Sequence, residues 1–469
     1  MATSPAPNGR AAGDRYRLLW RWHLYAGLFV SPFLVVLAIT GAIYLFNDEI
    51  NDAAHAELRF APTPWTTRVP LGAMIDAAEQ DVAHATATRI DVPADTRRAV
   101  QVHLAVQDGA SRIAYLDPSD GSVLGMLTPA RTLVGIAERL HGSLMLGTVG
   151  RYVMELAACW AVLLILSGLY LGWPRRTDGR WWRAVVPDVR ARGRGLWRSV
   201  HRAVGLWVSV LMLFLIVSGL PWAVFWGGWI RSGAELVGEG YPPVYRRYSA
   251  PAAPTIGHDF NDVPWTLQHA PLPAVEPEDA MHHGHGVSAP AHGARHWTTE
   301  GLERAIDHVR AAATHDDLRV FLPGEARGAL MVYTYPDRPQ GQTTWHFDRN
   351  GALLVSAGFA DYGRVAQAIE LGVQLHMGNY FGRANQLVML SACIGVVALA
   401  FTGAVMWWRR RPQGRIGAPQ SHGGMPVRSL MALLVAAAVL LPLLAVSLLV
   451  VLGFDRWIRP RIPALRWLR

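Results

Sequence analysis

HLYAGLFVS at 23–31 and HRAVGLWVS at 201–209 are two copies of one pattern, His-x-x-x-Gly-Leu-x-Val-Ser, and each opens a long apolar run. Further along each run comes a hydroxyl residue with a glycine, Thr40-Gly41 in the first and Ser218-Gly219 in the second. A second pair of copies starts at Leu140-His141 and Leu375-His376. Each of these histidines is followed by a glycine (Gly147, Gly382), a Val-Met pair (Val153-Met154, Val388-Met389) and a hydroxyl residue with glycine (Ser167-Gly168, Thr402-Gly403). A tryptophan (Trp173, Trp408) and an arginine (Arg175, Arg410) complete the frame. The chain reads as a duplicated two-helix unit whose four histidines stay in register. An ionisable side chain at the edge of an apolar span is expensive and is usually kept for function.

Composition points the same way. Of 469 residues, 51% are hydrophobic and 17% charged, too apolar for an ordinary soluble chain and too charged for one wholly in lipid. The formal charge of +9 is carried by arginine alone, with no lysine. An arginine-only set reflects composition, so no nucleic-acid partner is expected. Cys159 and Cys393 lie inside apolar runs and read as small core residues. The first run is long and no small-residue cleavage motif closes it, so it is expected to stay as an anchor.

Five segments, approximately 24–46, 152–173, 203–230, 386–408 and 429–453, are apolar over the roughly 20 residues that cross a bilayer. The expected class is a mainly α membrane protein: a four-helix transmembrane bundle, a fifth C-terminal span, and two water-exposed α+β regions. In domain terms there is a tail at 1–17, then spans with their flanks at 18–46, 138–173, 200–230, 373–408 and 429–453. The connections are 47–137, 174–199, 231–372 and 409–428, with a C-terminal tail at 454–469. Arginines crowd 1–17, 174–199 and 409–428, which the positive-inside rule places in the cytoplasm. The expected setting is a bacterial inner membrane, multi-pass, with the N-terminus cytoplasmic and 47–137 and 231–372 in the periplasm. The C-terminal tail carries Arg456, Arg459, Arg461, Arg466 and Arg469, against a five-span count, so its side stays open.

Periodicity predicts a helix over 70–84, strands over 97–105 and 111–117, and a turn at Asp117-Pro118-Ser119-Asp120-Gly121. The second outer region repeats the plan, with a helix near 299–313, strands near 317–322, 329–335 and 343–348, and a turn at 348–351. The Pro-rich stretch 242–277 and the His-rich stretch 281–296 read as irregular.

The topology puts His23 and His201 at the inner edge and His141 and His376 at the outer edge. Two imidazoles at one depth, from different helices, suit the two axial positions of a haem iron. Gly27 and Gly205, one turn along, would free space for a flat macrocycle. Arg21 and Arg202 inside, and Arg151 and Arg383 outside, are candidate partners for propionates. From His141 to Arg175 is 34 residues, roughly 51 Å as one helix, which exceeds a bilayer of about 40–45 Å. The helix therefore projects outward or breaks at Gly142, Gly147 or Gly150. His282, His283 and His285, with His292 and His296, read first as a solvated tract and second as a divalent-ion site for Cu, Zn or Ni. Glu155 has Arg151 one turn earlier as its expected partner.

The paired His-x-x-x-Gly-Leu helices, the Leu-His segment followed by Gly147-Thr148-Val149-Gly150-Arg151, and the outer motif Tyr115-Leu116-Asp117-Pro118-Ser119-Asp120-Gly121 resemble the PepSY-associated transmembrane family. Members are often called iron-regulated membrane proteins. The resemblance covers roughly 15–453. It implies PepSY-like outer regions and two haem b groups, an inner one on His23 and His201 and an outer one on His141 and His376. In the second unit Gly382-Arg383 comes earlier than Gly150-Arg151, so Arg383 departs from the pattern, and the His-rich insertion lies outside it. Since the family includes ferric-siderophore reductases, the resemblance implies an oxidoreductase that passes electrons to a ferric-siderophore or other ferric complex. No Gly-x-Gly-x-x-Gly loop is present, so the donor is expected to be a separate cytoplasmic partner or quinol, with membrane lipid as surroundings. Two alternatives stand beside this: a cupric reductase or metal-handling protein using the His-rich loop, and a non-enzymatic interaction module anchored in the membrane.

Overall fold

The computed structural model describes residues 7–107, 109, 111–173, 182–248, 255–256, 263–273, 295–313, 316–324, 328–411, 427–458 and 461–462. Its principal helices are α1 (Pro7–Leu45), α2 (Asn47–Ala54), α3 (Leu71–Gln80), α4 (Leu133–Ser143), α5 (Gly147–Gly172) and α6 (Arg194–Gly219). Further on come α7 (Val224–Leu236), α8 (Thr299–Ala312), α9 (Arg364–His376), α10 (Arg383–Trp408), α11 (Val427–Leu440) and α12 (Pro442–Gly453). The strands are β1 (Ala85–Val92), β2 (Val100–Val106), β3 (Ser111–Leu116), β4 (Val123–Leu127), β5 (Leu318–Phe321), β6 (Leu330–Thr334), β7 (Thr343–Phe347) and β8 (Leu353–Gly358). The chain divides into two units, one of residues 1–42, 138–225 and 387–469, the other of residues 43–137 and 226–386.

The first unit is helical. Among the described residues, four stretches are long and apolar enough to cross a membrane: Tyr16–Leu45, Gly147–Gly172, Arg194–Trp222 and Arg383–Trp408. Val30, Ala38, Ala161, Ile165, Val208, Met212 and Val396 form their shared core. Small residues let the backbones close up. A Cβ on Gly395 of α10 would overlap the Val208 side chain of α6, the kind of contact that packs helices where lipid gives no hydrophobic drive. Phe29, Leu166, Trp207, Val210, Ile394 and Phe401 are exposed, as suits side chains that meet lipid.

Three boundaries differ from the sequence reading. The third span begins at Arg194, because arginine is a good helix former, and its helical path stops at Trp222, beside Pro221. Proline has no N–H to continue the ladder, and α7 starts afresh at Val224. The segment expected as a fifth span is two helices of 14 and 12 residues, divided at Leu441 where Pro442 opens α12. Each is shorter than the roughly 20 residues a crossing takes. α12 packs its Leu444, Ala445 and Leu448 with Cys159 of α5, and Trp160 Nε1 donates to Ser447 Oγ at 3.0 Å. Finally, of the two ways expected to shorten the His141–Arg175 stretch, the chain breaks. Leu144, Met145 and Gly147 all have positive φ, and α5 starts at Gly147.

The second unit is an eight-stranded antiparallel sheet in the order β4-β3-β2-β1-β5-β6-β7-β8. β1 and β5 meet at the centre, with Ile90 opposite Val320. On one face α3 and α8 bury Leu71, Met74, Ile75, Leu302, Ile306 and Val309 against Ile90, Val102, Val320 and Val332. Over the other face of β5–β8, Tyr245, Ile256, Leu267, Tyr362 and Ala366 cover Met331, Tyr333 and Val355. Strand β6 is buried at every position for this reason. Thr298 caps α8 by accepting from Gly301 N at 3.0 Å. The Asp117–Gly121 turn forms as expected, with Gly121 at φ 77. Three strands, β1, β4 and β8, were not anticipated. The stretch 242–277, expected to be irregular, in part supplies core: Tyr245, Ile256, Val263, Leu267, Ala270 and Leu272 are buried.

Candidate functional site

His23 of α1 and His201 of α6 come together in the first unit. Their ring centroids are 6.4 Å apart and their planes stand at 85°. Both lie inside helices rather than at the ends, because α1 and α6 extend back into arginine-bearing turns. Each ring is tied through Nδ1 to a hydroxyl on a neighbouring helix. His23 Nδ1 is 2.9 Å from Ser167 Oγ of α5, and His201 Nδ1 is 2.8 Å from Thr402 Oγ1 of α10. That bond leaves Nε2 as the nitrogen for any ligand.

Two trans imidazoles on one metal, with bonds of about 2 Å and about 1 Å more from nitrogen to ring centre, stand roughly 6 Å apart centroid to centroid. The His23–His201 separation fits this. Edge-to-face ring pairs reach similar separations, but they give no reason for both Nδ1 atoms to be fixed by hydroxyls on two other helices. Among the described residues no group of three or more His, Cys, Asp and Glu is placed to hold a bare metal ion. Two imidazoles suffice where the metal brings equatorial ligands of its own, as haem iron does.

His141 lies in the last turn of α4 and is bound in the same manner, Nδ1 lying 3.0 Å from Thr40 Oγ1 of α1. Burial pushes its imidazole below the ordinary histidine value. His376 is the last residue of α9 in the second unit and is half-buried. Thr40 and His23 are 17 residues apart on α1, a rise of about 25 Å, close to the roughly 30 Å of a bilayer's hydrocarbon core.

Other sequence candidates have more ordinary surroundings. A Cβ on Gly27 would meet Leu164 at 3.8 Å and one on Gly205 would meet Leu399 at 3.6 Å, common helix-packing distances. Arg21 lies over the Tyr25 ring, and the Arg202 stem passes Gly172. Arg151 donates to the Trp222 carbonyl at 3.2 Å, while Arg383 pairs with Glu49 and also bonds Gln386 at 3.0 Å. Glu155 is buried and accepts the Phe225 N–H at 2.9 Å, so it caps the start of α7. His282, His283, His285 and His292 lie outside the described residues.

The sequence reading marked the hydroxyl–glycine pairs as repeat landmarks and gave them no role. Ser167-Gly168, Thr40-Gly41 and Thr402-Gly403 are seats of histidines. The glycine following each hydroxyl faces the ring: a Cβ would come within 3.1 Å of His23 Cε1 at Gly168, 3.4 Å of His141 Cε1 at Gly41 and 3.6 Å of His201 Cε1 at Gly403. The signal was present in the register, since each pair keeps its spacing from a histidine in both copies.

Compared with known families, residues 20–410 match the one described as PepSY-associated TM region. No curated protein matches the chain.

Proposed function

Because the chain belongs to the PepSY-associated transmembrane family, and its His23 and His201 stand as axial imidazoles would, we propose that it is an inner-membrane di-haem protein that reduces periplasmic ferric complexes for iron acquisition. The observation that carries this reading is the 6.4 Å His23–His201 separation with both Nδ1 atoms already engaged. His23 and His201 would hold the inner haem. The sequence repeat assigns His141 and His376 to the outer one. A bound haem supplies one-electron transfer between ferric and ferrous iron. The protein's own part is to fix ligands at two heights along α1 and to shield the path with apolar helices. Ferric-siderophore complexes are the favoured acceptors, with a separate cytoplasmic partner or quinol as donor.

The arginine-rich segments 1–17, 174–199 and 409–428 support a cytoplasmic N-terminus. The mirrored strand order about β1 and β5, each half following one helix, supports descent from a duplicated unit. α11 and α12 together are long enough to serve as the fifth span.

A reduced-minus-oxidised absorption spectrum of the purified full-length protein tests the proposal. Low-spin haem bands, with about two haems per chain, are expected. His23→Ala and His201→Ala should each lose the same single component. A colourless protein, made with ample haem supply, would overturn the reading.

A further inference from the structure

Each hydroxyl that meets a histidine also donates to a carbonyl one turn back on its own helix. Ser167 Oγ donates to Leu163 O at 2.7 Å, Thr402 Oγ1 to Ala398 O at 2.7 Å, and Thr40 Oγ1 to Val36 O at 2.7 Å. A hydroxyl has one proton. With that proton on the helix carbonyl, the oxygen can only accept from the imidazole. Nδ1 must therefore carry the ring hydrogen, and Nε2 the lone pair. At Gly168 the glycine supplies the room, since a methyl group there would force the His23 ring to shift; at Gly403 a methyl group would make ordinary contact with His201.

We infer that Ser167-Gly168, Thr402-Gly403 and Thr40-Gly41 are positioning sockets that set the tautomer, orientation and electron-donating strength of the histidines in a haem site. The inference rests on the haem reading above and deepens it by naming what controls the site's redox poise. A hydrogen bond from Nδ1 raises the basicity of a ligating imidazole, and a more basic ligand favours ferric over ferrous iron. Ser218, at the equivalent place in the repeat, has the same back-bond, its Oγ donating to Phe214 O at 2.8 Å.

The test uses full-length protein in detergent with four variants: Ser167→Ala, Ser167→Thr, Thr402→Val and Gly168→Ala. Haem per chain, the midpoint potentials from a redox titration, and the ferric electron-paramagnetic-resonance spectrum are read for each. Ser167→Ala and Thr402→Val should raise the midpoint of the same one of the two components and shift its resonance. Haem retention at that site should weaken roughly 10–100-fold, as for other outer-shell losses. Ser167→Thr keeps the acceptor and should restore parent values. Gly168→Ala should alter the resonance through ring tilt, with the hydroxyl intact. Thr402→Val is nearly isosteric, so it answers the question if Ser167→Ala fails to fold. Parent-like potentials and spectra in Ser167→Ala and Thr402→Val, with haem bound, would overturn the socket inference alone. A parent protein that binds no haem would overturn the haem reading and the inference with it.

Discussion

Replacing Glu370 with glutamine should flatten the pH dependence of stability in the sheet unit. Glu370 lies in α9, is 1% exposed, and accepts from Thr266 Oγ1 at 2.8 Å. Burial disfavours the carboxylate and is the largest influence. The Thr266 bond opposes it without cancelling it, and the folded value is pushed up to about 7 from an ordinary 4.5. The folded protein thus holds this proton more tightly than the unfolded chain does. The protonated carboxyl contributes stability that is full below about pH 4.5 and is lost as pH rises through about 7. Across that window of about 2.5 pH units, at about 1.36 kcal/mol each, the loss is roughly 3 kcal/mol. Hydrogen exchange of α9 in the full-length protein between about pH 5 and 8, corrected for intrinsic rates, reads this locally without unfolding the spans. The parent should lose protection as pH rises, and Glu370→Gln should hold it. If the variant loses protection as steeply as the parent, another group titrates and the burial argument fails.

Gly395→Leu should lower the melting temperature of the helical unit, because a side chain there runs into Val208 and overpacking costs about 1–3 kcal/mol; an unchanged melt would mean that α6 and α10 do not touch at that point. Asp52→Asn tests the opposite pH sign. Desolvation raises the Asp52 carboxyl, but hydrogen bonds from Arg98 and Arg59 outweigh it and hold the group below the usual range. Its stabilisation is therefore present above the ordinary carboxylate value and lost on acidification. Asp52 is partly exposed, so about 1 kcal/mol is expected, read from acid unfolding of parent and variant. Pro442→Ala should let α11 and α12 run on as one helix, seen as new amide protection at position 442; an unprotected amide would show that packing against α5, and not proline, sets the break.

The spans were legible because an apolar run of about 20 residues has few other uses. Their ends were less so. Arg194 and Arg198 lie outside the hydrophobic window, yet they belong to α6. Strands such as β2 and β3 carry clear alternation, whereas β4 (Val-Leu-Gly-Met-Leu) and β8 (Leu-Leu-Val-Ser-Ala-Gly) are short and interrupted by small residues. The central β1–β5 pairing joins Arg89 to Phe321, and no local pattern announces a contact that distant in sequence. Glu370 escaped notice for a similar reason: its partner Thr266 comes from the stretch read as irregular, and only the fold buries both. The histidines were found by spacing. Their seats were not, because a hydroxyl–glycine pair gains meaning only when the neighbouring helix supplies a ring.

That relation explains the spacing itself. α1 presents His23 to the seat on α5 and, 17 residues later, offers Thr40-Gly41 as the seat for His141. α5 offers Ser167-Gly168 in return, and His141 precedes it in the chain. α1 therefore carries one histidine and one seat, with α5 supplying the second seat and α4 the second histidine, so α1 is held at two heights. Sliding α5 along α1 by one turn, about 5.4 Å, would break the His23–Ser167 bond, and moving α4 along with it would break the His141–Thr40 bond as well. α6 and α10 repeat one of these contacts, His201 with Thr402. The geometry accounts for keeping histidine, hydroxyl and glycine together at His23, His141 and His201. Losing a seat frees a ring, and losing a histidine leaves a seat with an oxygen and a gap to fill.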